Sequence, residues 1–177
     1  MYTNKTTLSR STPLSSRLTF IFLLAALLLG VFGASFGRTL VENPAWRHVG
    51  AEAWAEFSRA ADLGNGEIVY PLEGIGAMLL IVAAAISFRL SGKRPLSAAI
   101  PVYGAALMYI GGLLVTTQAA PIMLSVAHIG DDPVALQRAF DGFVWWGNIR
   151  AVFGFLGDCA TVWALVAILR LPSREPH

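Results

Sequence analysis

The sequence predicts an all-α fold: a four-transmembrane-helix up-down bundle with an amphipathic outer helix between spans 1 and 2. Three observations predict it. Of the 177 residues, 55% are hydrophobic and only 14% are charged, against about 25% charged in an ordinary soluble domain. The mean hydropathy is +0.61. The charge deficit is concentrated in four long apolar runs, and the connections between them alternate between basic and acidic.

The first run, Leu18 to Gly37, is twenty residues without a charge between Arg17 and Arg38. At about 1.5 Å per helical residue it matches a hydrocarbon core of about 30 Å. A cleaved signal peptide is the rival reading, because Lys5, Arg10 and Arg17 form a basic lead-in. Signal cores are shorter, about 7–15 residues, and no A-x-A site follows, which favours a retained span. The second run covers Ile68 to Phe88 and holds Pro71 and Glu73; the third covers Leu96 to Ala127, with Pro101 and Pro121 expected to trim or kink its ends. The fourth, Phe143 to Leu169, holds Arg150 and Asp158. Each run is continuously apolar rather than alternating, which argues against membrane strands. Glycines punctuate all four, among them Gly33 and Gly37, Gly74, Gly111 and Gly112, Gly147, Gly154 and Gly157. Glycine lets helix backbones approach in lipid, so the pattern predicts packing first and is compatible with a homo-oligomer.

Charge sets the expected direction. Lys and Arg gather in the N-terminal tail (residues 1–17), in the second connection (Arg89, Lys93, Arg94) and in the C-terminal tail (residues 170–177). The first and third connections are acidic, with Glu42, Glu52, Glu56, Asp62, Glu67, Asp131, Asp132 and Asp141. The positive-inside rule then places the domain, residues 18–169, in the cell membrane with both termini cytoplasmic and the acidic connections outside. The lipid bilayer is the partner this implies. No continuous basic patch exists for nucleic acid, and the lone Cys159 excludes an internal disulfide or a CxxC relay.

In the first outer connection, Trp46, Val49, Ala53, Trp54, Phe57 and Ala60 recur at helical spacing. Asn43 is expected to cap a helix whose first residue is Pro44, and 63–66 to end it. Such a helix lies in the headgroup layer or roofs a cavity between the spans. In the second outer connection, Asp131-Asp132-Pro133 reads as a helix start before a short amphipathic turn.

Ionisable groups at membrane depth usually face the bundle interior or a water-filled cavity. Glu73 and Arg150 both fall about 8–10 Å below the outer surface, which predicts an ion pair between them. Arg38 and Glu42 end the first span at a similar level, with Thr116, Thr117 and Gln118 late in the third and Trp145, Trp146 and Asn148 opening the fourth. This outer gathering reads as a pocket for a lipophilic small molecule or as polar glue that fixes helix register. Asp158 lies deeper, where Tyr109 can hydrogen-bond it. His48 and His128 have no ligand spacing, which argues against a metal site, and no paired inward histidines offer haem ligation.

The chain resembles the anthrone oxygenase-like family of small four-helix membrane proteins, over about Leu18 to Leu169. The resemblance rests on Val41-Glu42-Asn43-Pro44-Ala45, Val69-Tyr70-Pro71-Leu72, Ala120-Pro121-Ile122 and, most specifically, Trp145-Trp146-Gly147-Asn148-Ile149-Arg150. Asn43 and Met123 stand where many bacterial members have histidine and asparagine. The resemblance implies oxidation of a reduced polycyclic aromatic by dioxygen without a bound cofactor. Such chemistry needs a base, for which Glu73 or Glu42 are the candidates, and an enolate stabiliser, for which Arg150 and Asn148 are. Trp145 and Trp146, with Gln118 and Asn43, would bind the substrate. The alternative is a non-enzymatic membrane protein that binds a lipophilic molecule or partner. A transporter is weaker still, because no repeat is evident.

Overall fold

A computed structural model describes residues 14–32, 37–91 and 95–170. Lys5, Arg10, Gly33, Lys93, Arg94, Arg174 and His177 lie outside them. Among the described residues the structure is all-helical, 89% helix, with no strand. Helix α1 spans Leu14–Phe32. A π-helical turn, Arg38–Glu42, runs into the short helices α2 (Asn43–Val49) and α3 (Ala51–Ala60). Three long helices follow: α4 (Gly66–Leu90), α5 (Leu96–Ser125) and α6 (Pro133–Leu169).

Helices α4, α5 and α6 are each long and apolar enough to cross a membrane. Only 17%, 22% and 22% of the residues in their most apolar windows are buried. Side chains such as Ile68, Leu72, Leu107, Leu114 and Trp163 are more than half exposed. Apolar faces turned outward on this scale fit a multi-pass membrane protein, since water would not tolerate them. Helix α1 is also apolar, over Arg17–Leu28. It packs on α4 and α6, while α5 packs on both of those, so the four helices close into a ring.

Several boundaries follow from local chemistry. Asp132 caps α6 by accepting from the backbone N–H of Val134 (3.0 Å) and Ala135 (3.3 Å), and Pro133 takes the first position, as expected. The helix does not stop there after one turn. It continues unbroken for 37 residues, about 55 Å at the helical rise, so the connection between α5 and α6 is only residues 126–132 and α6 itself extends beyond any bilayer core. Pro101 and Pro121 both lie inside α5 rather than at its ends. The expected single outer helix is also divided: Gly50, at φ +100°, breaks it into α2 and α3, a conformation glycine adopts at little cost.

Asn43 does not cap. It lies within a continuous helical run at φ −59°, ψ −43°, and its N–H bonds the Arg38 carbonyl five residues back. The wide turn has a reason. Pro44 has no N–H and would clash with a normally wound preceding turn, and the π-helical widening relieves that.

Two apolar cores form at opposite ends. The inner one joins all four ring helices, with Leu23, Ile81, Phe88, Val102 and Leu165 at its centre. The outer one joins Trp54 and Ala55 of α3 to Met123, Leu136, Phe140 and Phe143. The buried face of α3 is Ala51, Trp54, Ala55 and Ser58, leading on to Asp62. It is rotated from the expected stripe: Val49 and Phe57 are exposed, and Phe57 stacks on Trp46 at 5.0 Å. Arg59 fastens α3 to the α5–α6 loop by donating to the carbonyls of Val126 and Gly130.

Glycine is essential where rings meet backbone between α5 and α6. A Cβ at Gly111 would lie 2.6 Å from the Phe153 ring, and one at Gly157 would lie 2.8 Å from the Tyr109 ring. These notches let the two helices close together.

Candidate functional site

Between the two cores lies a layer of polar side chains. Arg38, on the π-helical turn, is buried and donates to the carboxylate of Asp62, which follows α3. Its guanidinium also donates to Tyr70 Oη of α4 (3.2 Å) and faces Glu42 Oε2 at 3.5 Å. The guanidinium carbon stands 5.2 Å from the Tyr70 ring centre and 5.7 Å from that of Phe143, within cation–π range. Burial works against the Arg38 charge, but the hydrogen bond and attraction of Asp62 outweigh it and hold the guanidinium above its ordinary pKa. Gly66 makes room for this arrangement, because a Cβ there would strike the Tyr70 ring at 2.7 Å.

Arg150 lies on α6 beside this network. Arg38, Asp62 and Tyr70 are near enough to act on it electrostatically. Its Nε is buried and has no hydrogen-bond partner among the described residues. The expected Glu73–Arg150 ion pair is not formed: the carboxylates that meet a buried guanidinium are Asp62 and Glu42, and both meet Arg38. Glu73 is half-buried on α4 and makes no ion pair or hydrogen bond with any described residue.

The other expected site residues divide. Glu42 joins the network through Arg38. Asn43 is buried at 4% exposure, and its Oδ1 has no partner among the described residues. Trp146 packs against the outer core. Trp145 is 64% exposed, and Asn148 is also exposed. Asn148 precedes Arg150 by two residues, about 200° round a helix, so it points away from the guanidinium. Gln118 is exposed and donates to Thr117 Oγ1 at 3.4 Å. Thr116 and Thr117 spend their hydroxyls on their own helix, on the carbonyls of Gly112 (3.0 Å) and Leu114 (2.6 Å). Asp62 and Tyr70 were not expected in the layer. For Asp62 the signal was its place four residues after Ser58 on the buried face of α3.

Deeper along α6, Tyr109 Oη donates to Asp158 Oδ1 at 2.6 Å, as expected from their shared level. Tyr109→Phe removes that donor from a half-buried carboxyl and is expected to cost about 1–3 kcal/mol. Thermal unfolding in detergent checks it, and an unchanged midpoint would show that water replaces the phenol. His48 and His128 are exposed, and among the described residues no three His, Cys, Asp or Glu side chains gather as metal ligands.

An open groove of about 410 Å³ between the end of α3 and the start of α4, lined by Ala60, Ala61, Gly64, Asn65, Gly66, Val69 and Tyr70, leads from the surface to the Tyr70 side of the network. A second open depression, on the outer end of α6, is lined by Pro133, Val134, Gln137, Arg138, Asp141 and Gly142 and does not reach Arg150. No family model, curated protein or solved structure matches the chain.

Proposed function

We propose that the protein is a four-span enzyme of the cell membrane that oxygenates a lipophilic aromatic without a cofactor, with α1 as the fourth span and both termini cytoplasmic. Aromatic side chains support this placement. Trp145 and Trp163 are both exposed on α6, at 64% and 55%. They are eighteen residues apart, which is five turns and about 27 Å along one face. Tryptophans favour the two membrane interfaces, and this spacing matches the hydrocarbon thickness. Tyr103, exposed at 42%, falls about level with Trp163, given the contacts of Gly111 with Phe153 and Tyr109 with Gly157. Arg89 and Arg170 lie just beyond that level, where the positive-inside rule puts the cytoplasm.

The observation that carries the functional reading is Arg150, a cation at membrane depth whose buried Nε has no hydrogen-bond partner among the described residues. An enolisable aromatic such as an anthrone would lose its methylene proton to Glu73, whose carboxylate is uncommitted. The enolate oxygen would then rest on Arg150. The enolate passes an electron to dioxygen, the two radicals combine to a peroxide anion that takes the proton back from Glu73, and the hydroperoxide loses water to leave the quinone. Anthrone and one dioxygen thus become anthraquinone and water, with no external reductant. A guanidinium aimed at the developing oxyanion is worth about 10²–10³ in rate.

Purified protein given an anthrone and oxygen should turn over about a hundredfold faster than Arg150→Ala, after subtraction of the detergent-only rate. Equal rates would remove the enzymatic reading. A second reading, binding of a lipophilic molecule without chemistry, is favoured by one observation: Asn148 and Trp145 turn away from Arg150.

A further inference from the structure

We infer that Arg150 is the receptor for the head of a lipophilic mono-anion, a carboxylate or phosphate carried on an apolar body. The inference rests on the polar layer being a binding site, as above, and not on oxygenation. Arg150 is half-buried, with its Nε fully buried, and a guanidinium at membrane depth with no carboxylate bonded to it is disfavoured. Among the described residues no carboxylate is bonded to it, although Asp62 lies near enough to attract it. Asp62 and Glu42 are both held on Arg38, and Glu73 forms no bond to Arg150. Arg38 adds a second positive charge to the surroundings of Arg150, which the nearby Asp62 offsets in part.

Space lies on the same side. Gly147 and Gly154, three residues before and four after Arg150, share its helix face, and a Cβ at either would meet nothing within 4 Å. Gly147 is nonetheless buried, so the room beside it is inside the protein. Arginine's planar fork fits carboxylate or phosphate with two parallel bonds. Arg150 lies five residues inward from the interfacial Trp145, about 7–8 Å, so a ligand's charged head would sit just beneath the outer headgroups with its apolar body among the helices.

The test uses the full chain in phosphatidylcholine nanodiscs with the fluorescent lipophilic acid cis-parinaric acid and its uncharged methyl ester. The acid should bind at least about tenfold more tightly than the ester, and Arg150→Gln should remove that difference by weakening the acid alone. Gly147→Leu, which fills the space and keeps the charge, should weaken acid and ester together by a similar factor, and it carries the test if Arg150→Gln does not fold. Equal affinity for acid and ester in the wild type, or no loss in either variant, overturns the inference. Phosphatidylglycerol added to the discs identifies the source: displacement of the probe assigns the site to a bilayer lipid, and its persistence assigns it to a free lipophilic acid. Acid binding without anthrone turnover would keep this site and remove oxygenation. Anthrone turnover with no preference for the acid would do the reverse.

Discussion

Asp62→Leu is expected to lower the unfolding free energy by about 3 kcal/mol or more, because it strands a buried guanidinium. The Arg38 and Asp62 side chains are only 10% and 3% exposed. Their contact ties the π-helical turn that follows α1 to the loop between α3 and α4, and Tyr70 adds the first turns of α4 to the same knot. Glu42, at 3.5 Å and 42% exposed, offers Arg38 a partner screened by solvent and replaces little of what is lost. The conclusion can be separated from general damage. Arg38→Met combined with Asp62→Leu removes both charges, so it should recover most of the loss, as apolar replacement of buried ion pairs often does. Thermal unfolding in one detergent, followed by circular dichroism, measures both. A loss below about 1 kcal/mol for Asp62→Leu would mean that water and Glu42 suffice to hold Arg38.

The same network shows why some of the structure was legible in the sequence and some was not. Apolar runs report helices, and three of them lie in helices long and apolar enough to cross a membrane, α4, α5 and α6. Depth also predicted the Tyr109–Asp158 hydrogen bond. Depth does not report azimuth. Glu73 and Arg150 were matched by level alone, yet a helix presents a given height to every side, and the partners that meet are Arg38 and Asp62. Asn148 and Arg150 share a level and a motif, yet two residues along a helix face nearly opposite ways. Burial on α3 follows shape rather than hydropathy. Ala51, Ala55 and Ser58 flank Trp54 on the buried face because small residues let α3 approach α6, while the larger Phe57 stays at the edge. The first turns of α6 are hidden for a related reason: Arg138 and Asp141 interrupt an apolar run without interrupting a helix.

Trp54→Ala is the other change with a large expected effect, about 3–5 kcal/mol, the range for truncating a fully buried aromatic. Trp54 is 2% exposed and stacks on Phe140 at 5.2 Å and on Phe143 at 5.8 Å, so it is the principal contact by which α3 holds α6. Phe143 also lies under the Arg38 guanidinium, and Asp62 follows Trp54 by two turns. Losing the indole therefore loosens the outer core and the polar network together. The loss in the double variant Trp54→Ala, Asp62→Leu should then fall short of the sum of the single losses by more than about 0.5 kcal/mol. The inner core of Ile81, Val102 and Leu165 shares no residue with this region, so most helical signal should survive while trypsin cleaves faster after Arg47 and Arg59. Unchanged cleavage, with a loss under about 1 kcal/mol, would show that α3 is held by the lipid headgroups rather than by α6.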